Sequence, residues 1–390
     1  MRILGIETSC DETAVCLVEA SGTFGPGFEF HVLGNALYSQ AKLHAQYGGV
    51  FPNLAKREHA KNLVPLLMKA LADAGEQAFP RNIPRSDLGS IEEVLVREPG
   101  LFEQLKVFLE SSGKPEIDAI AVTYGPGLEP ALWVGINFAK ALSMAWGLPI
   151  VPVNHMEGHI VLSMMEKDRL AGFEYPVLAL LISGGHTELV LSKESGAYEI
   201  LGQTRDDAAG EAFDKVARLL DLPYPGGPEI SRLAAEARAR NISSEIKFTR
   251  PMIHEPNFDF SFSGLKTAVR NVVEANKPLS EDMKLQIARE FEDCVADTLI
   301  HKTLKAIESS AAQTVVVGGG VSANTHIRDE LAKKLIDYGC KLLIPPPELA
   351  TDNALMIALA GYFHAEKKDF TEPKNIVATG NLKLGQPVLK

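Results

Sequence analysis

Two stretches far apart in this chain share one pattern, and that pattern limits the folds open to it. "RILGIETSCDETAVCLVEA" opens the chain, and "PVLALLISGGHTELVLSK" lies near its middle. In each, an apolar β-branched run meets a short polar turn and then a second apolar run, which is the mark of a hairpin. The first predicts strands over Ile3–Glu7 and Thr13–Val18 around the turn Thr8–Glu12. The second predicts Val177–Ile182 and Thr187–Leu191 around Ser183–His186. A unit met twice in the same guise predicts an internal structural duplication. The likeness is one of pattern, not of residue identity.

The segments around the hairpins alternate strand and helix. "DAIAVTYGPG" reads as a buried strand closed by the turn Gly125-Pro126-Gly127, and "ALWVGINFAKALSMAWGLP" as an apolar helix stopped by Gly147 and Pro149. "PIVPVNH" is a strand that delivers His155. In "GEAFDKVARLL", Phe213, Val216, Ala217 and Leu220 fall on one helical stripe, with Asp214 off it. A long helix follows in "KLQIAREFEDCVADTLIHKTLKAIE". Then come strand, glycine turn and helix in "TVVVGGGVSANTHIRDELAKKL", the strand "CKLLIPPP", and a helix in "TDNALMIALAGYFHA". Such alternation predicts an α/β protein. At about 150 residues per domain, 390 residues predict two or three domains, or one large two-lobed unit. Glu76 to Lys114, with Pro80, Pro84 and Pro99 among many charges, reads as an insertion of short surface helices on the first lobe.

Bulk properties exclude several classes. The four cysteines, Cys10, Cys16, Cys294 and Cys340, form no C-x-x-C pair, so neither a disulfide framework nor a structural zinc site is indicated. No apolar run reaches the roughly 18 residues of a membrane span. The N-terminus lacks the apolar core and cleavage site of a signal peptide, so the cytoplasm is the expected address, with no membrane partner. The net charge of -11 does not advertise nucleic-acid binding, which needs Lys and Arg against phosphate. One basic cluster, Lys56, Arg57, His59 and Lys61, reads as a solvated helix face.

Several groups of residues can carry chemistry. His155 and His159, four apart in "VNHMEGHIVLS", can present two imidazoles from one helical face. Imidazole suits zinc or iron, but two ligands are too few. H-E-x-x-H proteases need the acid directly after the first His; here Met156 stands there and Glu157 projects elsewhere, so peptide hydrolysis is disfavoured. Asp352 is the carboxylate of choice for a third ligand, with helix capping as its alternative role. Gly318-Gly319-Gly320 before a helix suits a nucleotide phosphate. It lies late in the chain, without the acid of a dinucleotide fold at the next strand. Asn324 can meet a base or ribose, or cap the helix. The turn with Ser183, Gly184, Gly185 and His186 allows close backbone approach to a ligand. The turn with Thr8, Ser9, Asp11 and Glu12 exposes carboxylates and hydroxyls, although both compositions also suit ordinary turns.

Together, "GIETSCDETAV", "GGVFPNLAKREHAKNLVPLL", "TYGPGL", "NHMEGH", "ALLISGGHTELV", "GEAFDKVARLL", "YPGGP", "FSFSGLKTAV", "VVVGGGVSAN" and "ATDNALMIALAGY" resemble the bacterial tRNA N6-adenosine threonylcarbamoyltransferases, the TsaD family, formerly called O-sialoglycoprotein endopeptidases or glycoproteases. The motifs keep the family's order over nearly the whole chain. The resemblance implies a duplicated two-lobed fold of the actin, hexokinase and Hsp70 (ASKHA) type with a ligand cleft. Residues 1–160 plus 352–390 would form the N-terminal lobe, carrying the insertion, and 161–351 the C-terminal lobe. It implies transfer of threonylcarbamoyl from threonylcarbamoyl-AMP to the exocyclic amine of the adenosine next to the anticodon, in tRNAs reading A-starting codons, with release of AMP. By matching motifs, His155, His159 and Asp352 correspond to ligands of one divalent ion, Fe2+ with Zn2+ as alternative. Leu181, Ile182, Ser183, Gly184, Gly185, Asp214, Gly227 and Asn324 correspond to substrate contacts. Cys10, Glu12 and His186 lie in the active-site turns. Implied partners are tRNA, an inactive paralogue of TsaB type forming a heterodimer, and an ATPase of TsaE type. An ATPase or small-molecule kinase on the same fold is the rival reading; it needs the glycine turns but not the two histidines.

Overall fold

The structure, a computed structural model, describes residues 1–76, 85–243 and 245–386. Part of the expected insertion, residues 77–84 with Pro80 and Pro84, lies outside them. The chain forms two compact units, one of Met1–Ala41, Val50–Gly172 and Asp352–Lys390, the other of Lys42–Gly49 and Phe173–Thr351.

The first unit is built on seven strands: β1 (Arg2–Glu7), β2 (Glu12–Ser21), β3 (Glu29–Ser39), β4 (Ala119–Gly125), β5 (Ile150–Asn154), β6 (Met165–Glu166) and β7 (Arg169–Leu170). They lie in the order β5-β4-β1-β2-β3-β7-β6. The hairpin β1–β2 is antiparallel, with Glu7 opposite Ala14, and β4 adds parallel to β1 on its other side. The ribbon β6–β7 pairs with β3, which keeps the chain up to Gly172 in this unit.

The second unit holds β8 (Val177–Ile182), β9 (Thr187–Glu194), β10 (Ala197–Gln203), β11 (Thr314–Gly318) and β12 (Lys341–Leu343), in the order β10-β9-β8-β11-β12. Its β8–β9 hairpin is antiparallel and β11 is parallel to β8. Three antiparallel strands and two parallel ones thus recur in one order, β3-β2-β1-β4-β5 and β10-β9-β8-β11-β12. The duplication expected from the two hairpins is present in the topology. Both first strands are buried throughout but for Arg2 at the chain start, as strands covered on both faces must be.

Two expectations need correction. The helices Arg85–Val94 and Pro99–Ser111 are not surface decorations. Ile91, Leu101, Phe102, Leu105, Phe108 and Leu109 are buried in one core with Leu63, Leu67, Ile136 and Leu142. On Pro99–Ser111 the charges Glu103, Lys106 and Glu110 share one face, and the apolar stripe opposite is what packs. His59 does not belong to a solvated face either: on the helix Pro52–Asp73 it is 0% exposed. Its Nε2 faces the Cys10 carbonyl at 3.0 Å and its Nδ1 faces Thr13 Oγ1 at 2.8 Å, so this imidazole pins the first hairpin turn.

The helix Ala354–Glu366 is apolar all round and almost wholly buried, as such composition demands. It crosses β1 at Gly5, where any Cβ would collide with the Ala354 carbonyl. That close approach brings the residues before the helix to the end of β1. Among the described residues, no helix is long and apolar enough to cross a membrane.

Candidate metal centre and active-site turns

The first unit contains the metal-ligand candidates. β5 ends at Asn154, whose Oδ1 accepts from the Met156 and Glu157 amides at 2.9 and 3.4 Å. This cap starts the helix His155–Ser163 on His155 and sets His159 one turn later on the same face. The two rings lie 4.8 Å apart, nearly perpendicular at 86°. Asp352 comes from the other end of the chain. The cap of the helix Ala354–Glu366 is its neighbour Asn353, whose Oδ1 accepts from the Met356 amide at 3.1 Å. Asp352 is therefore released from capping, and its Oδ1 lies 3.4 Å from His155 Nε2 and 3.2 Å from His159 Nε2. The three ligand atoms fall within 4.8 Å of one another, and among the described residues no other such group occurs.

Sequence reasoning missed the residues behind this triad. Glu7, at the end of β1, is fully buried. Its Oε2 lies 3.2 Å from His155 Nδ1 and accepts from Thr123 Oγ1 at 2.6 Å, while Oε1 accepts from the Ser9 amide at 2.5 Å. A carboxylate on Nδ1 keeps a proton there, so Nε2 is the nitrogen that would offer its lone pair to a bound ion. The signal was present as an acid at the close of an otherwise apolar strand. Glu157 turns away from the triad, and its Oε2 meets His364 Nε2 at 3.0 Å.

The electrostatics are those of a cation site. Burial raises the Asp352 carboxyl, yet the His155 and His159 imidazoles hold it far below the ordinary range. Burial likewise opposes ionisation of Glu7, and His155 overcomes it, so the Glu7 pKa is lowered. Burial disfavours a charged His155, but Asp352 and Glu7 hold its pKa well above the usual value. Burial and the charge of His155 lower that of His159, against its bond to Asp352. Two negative carboxylates beside two imidazoles in a buried pocket match the donor set of an N,N,O-coordinated divalent ion. Three protein ligands would leave positions free for substrate, as catalytic rather than structural sites do.

Cys10 and Glu12 flank the same unit's first turn. Burial, then Asp11 and Asp352, push both the Cys10 thiol and the Glu12 carboxyl well above their ordinary values. Glu12 Oε1 accepts from Ser39 Oγ at 3.0 Å.

The second unit contains the other candidates. Leu181 and Ile182 end β8, fully buried, and Gly184 and Gly185 are exposed in the turn. The Ser183 amide donates to the His186 carbonyl at 2.8 Å and the His186 amide to Ser183 Oγ at 3.1 Å, which sets the turn. Ser183 O accepts from the Gly210 amide at 3.2 Å, at the start of the helix Ala209–Leu219. Gly319, at φ +88°, lies so close that a Cβ would sit 2.5 Å from the Ile182 carbonyl. Three backbone turns thus converge where β8 and β11 end, as ligand sites of α/β sheets do. Asp214 Oδ1 accepts from the Gly226 amide at 2.7 Å, tying its helix to the start of Gly226–Ala239, where half-buried Gly227 sits.

The glycine turn does not run straight into a helix as expected. A 3-10 turn, Gly320–Ala323, intervenes, and the helix Thr325–Ile336 starts only after Asn324. Asn324 Oδ1 accepts from the Ile327 amide at 2.9 Å, while Nδ2 donates to Ser231 Oγ at 2.8 Å and Glu292 Oε1 at 2.7 Å.

The sequence matches the family profile of TsaD, tRNA N6-adenosine threonylcarbamoyltransferase, over residues 31–110 and 101–359. The chain belongs to the TsaD family. That family is one of transferases acting on tRNA. Among solved structures, full-length HypF in its phosphate- and nucleotide-bound form superposes with a TM-score of 0.52 at 12% identity, over 94% of this chain and 46% of that one. HypF of T. kodakarensis gives 0.49 at 12% identity, over 72% of this chain and 45% of that one. The ROK hexokinase of Thermus thermophilus gives 0.42 at 14% identity, over 95% of this chain and 100% of that one. The chain spans about half the length of the HypF chains it matches. The first likeness bears on fold alone and agrees with the duplicated α/β topology described above.

Proposed function

We propose that this TsaD-family protein transfers threonylcarbamoyl from threonylcarbamoyl-AMP to N6 of the adenosine next to the anticodon, in tRNAs reading A-starting codons. The observation that carries the reading is the His155–His159–Asp352 triad, its two histidines buried, in a chain of this family. His155 Nε2, His159 Nε2 and an Asp352 oxygen would hold a divalent ion, Fe2+ by preference for a two-His, one-carboxylate set and Zn2+ as the alternative. Such an ion supplies a Lewis acid for the acyl carbonyl.

In the transfer, N6 forms a bond to the carbamoyl carbon, the bond from that carbon to the phosphate oxygen breaks, AMP leaves with that oxygen, and N6 loses one proton. The leaving group is already good, so the protein mainly orients a weakly nucleophilic amine. The backbone of Leu181, Ile182, Ser183, Gly184 and Gly185, with Asp214, Gly227 and Asn324, is assigned to substrate contact. Glu12, its pKa raised well above the ordinary carboxylate value, is suited to take the N6 proton, with His186 as the other candidate base. The Cys10 thiol, pushed up and so protonated, is assigned a hydrogen-bonding rather than a nucleophilic part. The proposed setting is the cytoplasm, with a TsaB-type paralogue and a TsaE-type ATPase as partners.

The test combines the protein, tRNA, threonylcarbamoyl-AMP and those partners, followed by mass spectrometry of the nucleosides. Threonylcarbamoyl-adenosine should form, and His159→Ala should abolish it. No modified adenosine with partners present, together with rapid ATP hydrolysis by the protein alone, would favour the kinase reading instead.

A further inference from the structure

The insertion creates a groove that the triad and the turns leave unexplained. It has a volume of about 370 Å³ and runs between the first turns of the helix Pro52–Asp73 and the start of the helix Pro99–Ser111. Lys56, Arg57, Lys61 and Arg97 line it. In a chain of net charge -11, four cations around one groove stand out. Arg57, Lys61 and Arg97 are exposed, and among the described residues Arg57 and Arg97 have no ion pair. The 13-residue helix Pro99–Ser111 points its positive end into the same groove, with no side chain capping it.

A second feature narrows the ligand. Glu98 also lines the groove, and its side chain is 2% exposed. Its Oε1 pairs with Lys56 Nζ at 2.9 Å, but Oε2 is buried without a hydrogen-bond partner. A buried acceptor left open calls for a donor from the ligand. Anion-binding cations beside one unfilled acceptor describe a chain of phosphates that also carries hydroxyl groups. We propose that this groove grips the sugar-phosphate backbone of the tRNA, with Arg57, Lys61 and Arg97 on phosphates and Glu98 Oε2 accepting from a ribose 2′-hydroxyl. RNA is favoured over an acidic protein because the family's substrate is RNA and because the 2′-hydroxyl supplies the missing donor. The proposal rests on the tRNA reading above and extends it to a surface that holds none of the residues assigned there to the metal, the substrate or proton transfer.

The experiment measures binding of end-labelled tRNA to the full-length protein by fluorescence anisotropy at several salt concentrations. In the triple variant Arg57→Gln, Lys61→Gln, Arg97→Gln, the slope of log affinity against log salt should fall by roughly 2 to 3, since each phosphate contact contributes about 0.7–0.9. In the transfer assay, its KM for tRNA should rise about tenfold, with kcat at saturating tRNA and KM for the adenylate within twofold of wild type. Wild type should also bind the transcript at least threefold tighter than a 2′-O-methylated copy. The single variants Arg57→Gln and Arg97→Gln, each checked by circular dichroism, should each lower the slope by about one. An unchanged slope and KM would overturn the proposal. So would normal tRNA binding with loss of an acidic protein partner, and equal affinity for the methylated copy would remove the role given to Glu98. If wild type binds tRNA yet modifies nothing, the transferase reading fails, while the salt slope still reports on the groove.

Discussion

Glu7 offers the sharpest test of the candidate metal centre, because it would act on a bound ion only through His155. Glu7→Gln keeps the shape and removes the charge. In the structure the two carboxylate oxygens receive three groups: the Ser9 amide at 2.5 Å, Thr123 Oγ1 at 2.6 Å and His155 Nδ1 at 3.2 Å. A glutamine has one acceptor, and the Ser9 amide, which can only donate, claims it. The NH2 group then faces Thr123 and His155. The threonine hydroxyl rotates and accepts, whereas His155 Nδ1 loses its carboxylate acceptor and keeps only Ser9 Oγ at 3.2 Å; the neutral ring is then freed to accept from the NH2 group at Nδ1 and to carry its proton on Nε2. That is the atom facing Asp352 at 3.4 Å and the one a bound ion would need. Loss of such a partner typically weakens metal affinity 10- to 100-fold, or about 1.4–2.7 kcal/mol. Competition against a chromophoric chelator, with Fe2+ or Zn2+, reads this directly, and the metal-free melting temperature shows whether the variant is folded. A folded Glu7→Gln protein with wild-type metal affinity would refute the tautomer argument.

Other expectations follow from the same geometry. Asn353→Ala should cost about 1 kcal/mol of stability through the lost cap while leaving metal content intact, whereas Asp352→Ala should empty the site; metal analysis of both variants separates the two neighbours. Leu105→Ala, in the insertion, should cost roughly 2–5 kcal/mol in denaturant unfolding because Leu105 is 0% exposed; a loss below about 1 kcal/mol would return the insertion to the surface. Burial lowers the pKa of His364, but Glu157 and Asp369 outweigh it and raise it. A raised folded-state pKa means that this stabilisation is full below about pH 6.5, the ordinary histidine value, and is lost as pH rises through the raised value. The melting-temperature difference between wild type and His364→Gln should therefore shrink with rising pH across that window, and a difference independent of pH would contradict the ion pairs.

Much of the architecture is legible in the sequence alone. The hairpins, the helix after Gly125-Pro126-Gly127, the strand that delivers His155 and the stripe through Phe213 and Leu220 are all written in periods and turns a few residues long. The insertion misleads because Glu and Lys mark an exposed face without saying that the opposite face is exposed too. His59 misleads for a related reason. Its neighbours Lys56 and Lys61 are charged, but at helical spacing His59 points the other way, toward Thr13 and Cys10.

The site divides in the same manner. Spacing alone sets His155 and His159 on one helical face, because the α-helix repeat is local and the Asn154 cap fixes where it begins. It cannot choose between Asp352 as cap and Asp352 as ligand, nor mark Glu7 as more than the end of a strand. Those roles depend on distances between residues 148 and 193 positions apart in the chain. They are decided when the helix Ala354–Glu366 comes down on Gly5 and Asn353 takes the cap. Local rules act over a turn or a hairpin, whereas a buried metal centre exists only once packing has brought distant donors within a few ångströms of one point.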